Sequence, residues 1–168
     1  TLNNLITTAA AATSTITSTN ATALFALTGG ITHNGTTLTL TGSGNSSASG
    51  AITGTGALTK TGAGTLTLSG AKTYTGSTLI SSGTVIFDSA TMQSSITNNA
   101  TVEINTSLNT TGNYTGSGVT KFDITNATTF DQLVVGGTAN LSSSTVNVTV
   151  GSVGVDNSWQ IITAGSLT

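Results

Sequence analysis

Two sets of apolar residues recur along this chain at nearly the same interval. The first set comprises Leu66, Val85, Val102, Phe122 and Val146. The second comprises Leu58, Leu79, Ile96, Tyr114 and Leu133. Successive members of either set are roughly 20 residues apart, an interval that belongs to the range of repeat proteins. Two faces that share one pitch are typical of solenoids, in which each repeat stacks on the one before it.

The residues around each repeat alternate between apolar and polar, as in Leu38-Thr39-Leu40-Thr41 and Val102-Glu103-Ile104. Alternation over so few residues is typical of short, half-buried strands, and clusters of Gly and Asn separate them as turns. We therefore predict an all-β fold, a right-handed parallel β-helix (β-solenoid) with coils of about 20 residues. The alternative is an antiparallel β-sandwich, which also has short strands but does not require two faces with one pitch.

The composition agrees with a stacked arrangement. Among the 168 residues are 40 Thr, 21 Ser, 21 Gly and 14 Asn, whereas Cys, Pro and Arg are absent. Parallel stacking places equivalent residues about 4.8 Å apart, so hydroxyl and amide side chains form ladders while charged side chains repel their copies. Three Lys cannot supply the cationic surface that phosphate backbones need, so a nucleic-acid partner is excluded. No apolar run is long enough to predict a transmembrane segment in this sequence.

We divide the chain into three parts: residues 1–28, residues 29–129 and residues 130–168. The first is an irregular or capping segment. It is either a short helix or a strand-forming coil, and the residues that fit one helical face are Leu2, Leu5, Ile6, Ala9 and Ala10. The second part contains the β-helix coils. The third has the only Trp and an apolar run at Leu133-Val134-Val135, and we expect it to cap the open end of the solenoid.

The segment from Gly54 to Val85 reads GTGALTKTGAGTLTLSGAKTYTGSTLISSGTV. It contains an LTKxGxGTLxLxG core, a YTG step and a closing GT followed by an apolar residue. This segment resembles the passenger-associated transport repeat of bacterial autotransporters, the proteins of type V secretion. Lys72 stands where that family commonly has Asn, and Ser77 where it has Gly. Residues 130–168 are similar to the last passenger stretch before the membrane barrel, which implies an autochaperone-like role in folding.

The resemblance implies a non-catalytic, structural and adhesive passenger segment at the bacterial cell surface, anchored in the outer membrane or released. Its expected partners are a host-cell or matrix receptor, or other bacteria, with a membrane barrel outside this sequence. A different class, a self-assembling surface-layer or fibre subunit, also fits the composition. A carbohydrate-active β-helix enzyme is the third alternative.

Few side chains offer chemistry, and we predict no catalytic residue, no cofactor and no metal ligand. His33 is the only imidazole, and its position beside Asn34-Gly35 predicts a histidine in a turn. Glu103 and Asp123 lie one pitch apart in matching triplets, so stacking would place them about 5 Å apart. That spacing would suit a retaining glycosidase or a cation site, but the favoured interpretation is two exposed carboxylates that tolerate each other in water. The remaining carboxylates are scattered near turns and give no support for calcium: Asp88, Asp131 and Asp156.

Overall fold

The chain is all-β in the computed structural model, which describes residues 6–8, 13–20, 24–152 and 158–168. Those residues contain no helix, so nothing among them resembles a helical membrane span. They form the strands β1 (Ile6–Thr8), β2 (Ser14–Thr17), β3 (Phe25–Leu27), β4 (Ile31–His33), β5 (Leu38–Thr41), β6 (Ser46–Ala48), β7 (Ile52–Thr53), β8 (Leu58–Lys60), β9 (Thr65–Lys72), β10 (Thr78–Ile80), β11 (Thr84–Met92), β12 (Ile96–Asn98), β13 (Thr101–Thr110), β14 (Tyr114–Gly116), β15 (Val119–Ile124), β16 (Gln132–Ala139), β17 (Thr145–Val150) and β18 (Ile162–Leu167).

These strands pair in parallel with strands one coil away and build three faces. The A face consists of β2, β5, β8, β10, β12 and β14, continued by the ends of β16 and β18. The B face consists of β3, β6, the first halves of β9, β11 and β13, then β15 and β17. The C face consists of β1, β4, β7, the second halves of β9, β11 and β13, and the starts of β16 and β18. The predicted parallel β-solenoid is confirmed, and the sandwich is excluded.

Coil length is regular in the middle of the solenoid and larger at both ends. On the A face Leu58 pairs with Thr78, Thr78 with Ile96 and Ile96 with Tyr114, so these coils are nearly equal in length. The first coil of that face, which runs from Ser14 to its partner Leu38, is longer than any of these. The last coil of the C face, from Leu133 to its partner Ile162, is longer still.

Toward the carboxyl end the extra residues collect at the corner between the B and C faces. Gly70 in β9 and Thr106 in β13 have positive φ angles of 71° and 77° there. Ser69 and Gly70 are adjacent in β9. Their partners in β11, Asp88 and Ala90, have one residue between them. The partners of those two in β13, Asn105 and Leu108, have two residues between them. In the next coil the corner becomes a loop over residues 125–131. The corner therefore lengthens from coil to coil while the flanking strands stay paired.

The first predicted column of core residues is correct over three coils. Leu66, Val85 and Val102 are stacked in the B face and fully buried. Val102 then pairs with Thr120, however, and not with Phe122. Phe122 is buried two positions further on and pairs with Val148, so the predicted pairing of Phe122 with Val146 is also wrong.

The second predicted column is wrong at Leu79 and Leu133. Thr78 occupies the place between Leu58 and Ile96, and Leu79 is half-buried on the outer side. Leu133 pairs with Leu108 in the C face, whereas Tyr114 pairs with Ala139. A hydroxyl is tolerated at position 78 because it is hydrogen-bonded in the interior, and such bonds offset the cost of burying a polar group.

Two hydrogen-bonded groups inside the solenoid pair several of its buried polar side chains with one another. The Tyr74 hydroxyl contacts Thr78 Oγ1 at 2.5 Å, and Thr78 Oγ1 contacts Ser94 Oγ at 2.7 Å. In the other group Asn98 Nδ2 donates to the Tyr114 hydroxyl at 3.2 Å. Burial raises the pKa of Tyr74 and of Tyr114 to about 12, so both phenols are neutral hydrogen-bonding groups of the core.

The two ends of the chain extend the same solenoid. At the amino end, the strand-forming alternative holds for the described residues. Ile6 lies in β1, and the other four residues of the proposed helical face lie outside the described residues. At the carboxyl end, β16, β17 and β18 continue the three faces, and Trp159 is half-buried. The capping and folding roles of residues 130–168 stay predictions.

Candidate functional site

Among the residues that the structure describes, exposed charge is confined to one face of the solenoid. In the described residues, every Asp, Glu, Lys or His side chain that is not buried lies on the outer side of the B face. Lys121 and Asp123 are exposed in β15, whereas Asp88 and Glu103 are half-buried in β11 and β13. The outer residues of the A face are Thr, Ser, Asn, Ala and Leu in the coils from Thr37 to Ser117. The solenoid therefore presents one charged face beside uncharged ones.

The predicted stacking of Glu103 on Asp123 is wrong. Glu103 pairs with Lys121, because the coil between β13 and β15 is two positions shorter than the matching triplets suggested. Asp123 lies one strand across and two residues along from Glu103, which corresponds to about 8 Å between their Cα atoms. A lysine therefore takes the place directly opposite Glu103, where an opposite charge is favourable across strands.

A shallow groove of about 290 Å³ lies over this part of the B face. Its walls are the polar side chains of Glu103, Lys121, Asp123, Asn147 and Thr149, and Ile104 and Phe122 also line it. The walls combine both charges with an amide and a hydroxyl, which are hydrogen-bonding partners for a polar ligand. The groove thus brings together the two carboxylates that the sequence had singled out, although they are not stacked.

Asp131 fixes one wall of the groove from inside the corner. Its Oδ1 accepts a hydrogen bond from the backbone N–H of Thr106 at 2.7 Å, and its Oδ2 accepts one from the N–H of Asp123 at 2.7 Å. The carboxylate is buried and closes the corner loop onto β13 and β15. Sequence analysis missed this role because Thr106 belongs to the preceding coil and no local pattern links the two residues.

No metal centre is formed by the carboxylates that the structure describes. Those residues contain no group of three or more His, Cys, Asp or Glu side chains that would hold a metal ion. Both oxygens of Asp131 accept hydrogen bonds from backbone N–H groups, as above. Asp156 lies outside the described residues.

His33 is a core residue of β4, so its predicted position in a turn is wrong. Its ring lies 5.3 Å from the Tyr74 ring, at an interplanar angle of 53°. Nδ1 is 3.4 Å from the carbonyl oxygen of Thr36, and the buried Nε2 has no hydrogen-bond partner. Loss of hydration lowers the pKa of His33, which keeps the imidazole neutral and away from any surface chemistry.

Lys60 places an ammonium group inside the solenoid, at the turn that links the A and B faces. Its Nζ donates to the carbonyl oxygens of Thr61 at 2.8 Å, Gly62 at 2.9 Å and Ser82 at 3.3 Å. Gly83, with φ 76°, leaves room for it, because a Cβ there would lie 2.8 Å from Nζ. Burial lowers the pKa of Lys60. Three carbonyl acceptors match the three donors of an ammonium, so Lys60 joins two successive turns.

These turn residues lie in the segment that a comparison with protein families identifies. Residues 58–86 match the family described as passenger-associated-transport-repeat. This segment is therefore similar to a transport repeat, and we refer to residues 58–86 as the transport repeat. The chain matches no curated protein and no solved structure. The transport repeat and the solenoid together fit an autotransporter passenger segment, and such a repeat implies a secreted or surface-exposed protein.

The transport repeat contains a second buried lysine, at one of the two positions where the sequence departs from the family pattern. Lys72 is in the C face between Ile52 and Met92, and its side chain is fully buried. Its Nζ donates to the carbonyl oxygens of Gly50, at 3.0 Å, and Ser69. Burial lowers the pKa of Lys72 to about 8. The extra lysine thus places a titratable group in the core.

We predict an unusual pH dependence of the free energy of unfolding. It arises from three buried groups: Lys72, Tyr74 and Tyr114. Between pH 8 and about pH 10, Lys72 is neutral in the folded chain but protonated in the unfolded chain, so stability rises with pH. Above about pH 10 the unfolded tyrosines ionise first, so stability falls again. Urea unfolding at several pH values should show this maximum, and Lys72→Met should flatten its rising side. A rise that Lys72→Met leaves unchanged would show that another group titrates.

Proposed function

We propose that this chain is a non-catalytic, structural and adhesive segment of an autotransporter passenger at the outer surface of a bacterium. In this proposal the solenoid is a rigid support, and the charged B face contacts a host-cell or matrix receptor or another bacterium. The confinement of exposed charge to that face, within the described part of the chain, supports the proposal most directly. Charged groups gathered on one face give a directed field that steers an oppositely patterned partner, whereas scattered charges largely cancel.

A binding role fits the groove better than a hydrolytic role. Retaining glycosidases hold two carboxyl groups about 5–5.5 Å apart, so that one attacks the sugar and the other protonates the leaving group. Here Lys121 lies opposite Glu103, and Asp123 is displaced by two residues. The two carboxylates therefore lack the direct stacking that would set this separation.

The binding proposal is tested by removing charge from the groove. The triple variant Glu103→Gln, Lys121→Met, Asp123→Asn should bind about tenfold more weakly to matrix-coated surfaces, host cells or bacteria, since charged hot spots commonly contribute about 1.4 kcal/mol or more. Binding by the unmodified chain should also weaken with rising salt. Fluorescently labelled protein and a titrated surface give both measurements.

The matched control is the double variant Thr59→Val, Thr97→Val on the outer side of the A face. These positions are uncharged and each is paired with Leu79, so the change preserves the shape of the strands. It should leave binding unchanged. Equal losses in the two variants, or none in the charge variant, would contradict a role for the B face. Release of reducing ends from polysaccharides that stops in Glu103→Gln would instead establish catalysis.

A further inference from the structure

One dipeptide of the chain combines an exposed side-chain amide with an unhindered neighbouring nitrogen. Asn34 and Gly35 lie in the turn between β4 of the C face and β5 of the A face, and both are exposed. No other Asn in the sequence is followed by Gly. The backbone nitrogen that follows an Asn can attack the carbon of the side-chain amide and close a succinimide ring. This reaction is fastest before Gly, because no Cβ shields the attacking nitrogen.

The fold requires glycine at this place in spite of its reactivity. Gly35 has a φ angle of 70°, in the left-handed region that residues with a Cβ disfavour. The turn also packs closely on the next coil, since a Cβ at Gly54 would lie 2.7 Å from Asn34 Oδ1. A larger residue at either glycine would disturb the stacking of the two turns. The reactive dipeptide is therefore part of the structure of the turn.

The next coil supplies a group that opposes the reaction. The backbone N–H of Gly35 donates a hydrogen bond to Thr55 Oγ1 at 3.0 Å. The nitrogen must lose this proton and turn towards Asn34 Cγ before it can attack, and the hydrogen bond hinders both steps. A reaction that must first break one ordinary hydrogen bond is slowed by about three- to tenfold. The stacked threonine therefore protects the dipeptide in the folded chain.

We propose that Asn34 is a site of spontaneous deamidation, and that the Thr55 hydroxyl slows the reaction while the chain is folded. A base removes the proton from the Gly35 nitrogen, which forms a bond to Asn34 Cγ. The C–N bond of the amide then breaks, and ammonia leaves with a proton from water. Water opens the succinimide at one of its two carbonyl carbons, which leaves aspartate or isoaspartate at position 34.

The product differs from the original chain in charge and in main-chain length. Both products place a carboxylate at the corner between the C and A faces, where the described residues have no exposed charge. Isoaspartate also adds a methylene group to the main chain between β4 and β5, so it should weaken the contact between the two turns. This site lies away from the B face, so it goes beyond the proposed adhesive role and does not depend on it.

Peptide mapping by mass spectrometry, after incubation of the folded chain at mildly alkaline pH, tests the proposal. Thr55→Val removes the hydroxyl, keeps the branched shape and should deamidate Asn34 about three- to tenfold faster. Thr55→Ser retains a hydroxyl and should stay slow. Thr75→Val is the matched control, because Thr75 takes the same place one coil later, and it should leave the rate unchanged. Circular dichroism verifies that the variants are folded.

The urea-unfolded chain gives the rate without protection, and it keeps the test decisive if Thr55→Val fails to fold. There Asn34 should react faster than in the folded chain and before every other Asn. Equal rates in the folded and unfolded chains would overturn the proposal. So would a folded Thr55→Val variant that reacts no faster than the unmodified chain. Faster reaction at another site, such as Asn45 before Ser46, would also overturn it, because Asn34 would not be the preferred site.

Discussion

Replacing Phe122 by alanine should lower the free energy of unfolding by about 3–5 kcal/mol, as expected for a large core side chain that leaves a cavity. Phe122 is 1% exposed and stacks on Val148 inside the B face. β15 is held by parallel pairing with β13 on one side and β17 on the other, so the cavity cannot collapse easily. The corner loop that follows adds to the loss, because its anchor at Asp123 is the next residue.

Denaturant unfolding followed by circular dichroism measures this loss as a shift in midpoint at constant slope. Asp123→Ala is the matched control, because it removes an exposed side chain from the same strand and keeps the backbone N–H that Asp131 binds. That variant should change stability by less than about 0.5 kcal/mol. Similar losses in both variants would show that Phe122 does not belong to a core column.

Replacing Lys60 by methionine should lower the free energy of unfolding by about 1–3 kcal/mol. Methionine has a similar length and fills the same space, but it leaves three turn carbonyls without their donor. Carbonyl groups that lose their donor in a half-buried turn are only partly rehydrated, and we expect this loss to exceed the gain from no longer burying an ammonium. Lys72→Met should have the opposite effect near pH 7 and raise the free energy of unfolding. It removes a buried charge that has only two carbonyl acceptors.

Lys121→Met serves as the comparison for Lys60→Met, since Lys121 is exposed on the B face. It should be nearly neutral in the same urea titration. If Lys60→Met proves as stable as the unmodified chain, the ammonium is not what joins the two turns of the transport repeat.

The pitch and class of the fold follow from the sequence because both depend on residues that repeat. Alternating apolar residues and a recurring interval predict stacked coils, whatever the details of each turn. The register between β13 and β15 was not predictable in the same way. Thr120 and Phe122 both occupy inward positions in the alternation of β15. Only the shorter coil at this point places Thr120, and not Phe122, against Val102.

The candidate site also depends on the register between strands, so the sequence predicted only part of it. Spacing indicated Glu103 and Asp123, and they do share a groove, but the neighbouring Lys121 was missed because it depends on that register. Asp131 has no sequence signal, since its two partners are backbone N–H groups in distant strands. Lys60 was recognised only as part of a motif, and its role needs the carbonyl groups of the following coil.

The corner between the B and C faces has a consequence for how such a chain can diversify. The stretch from Lys121 to Leu133 is more than twice as long as the stretch between their partners Glu103 and Leu108, yet the strands on both sides stay paired. Added length is thus absorbed as a protruding loop with no slip in the stacked layers. Peptide epitopes or enzyme-recognition tags grafted into residues 125–130, which leave Asp131 in place, should be displayed beside the groove without unfolding the scaffold.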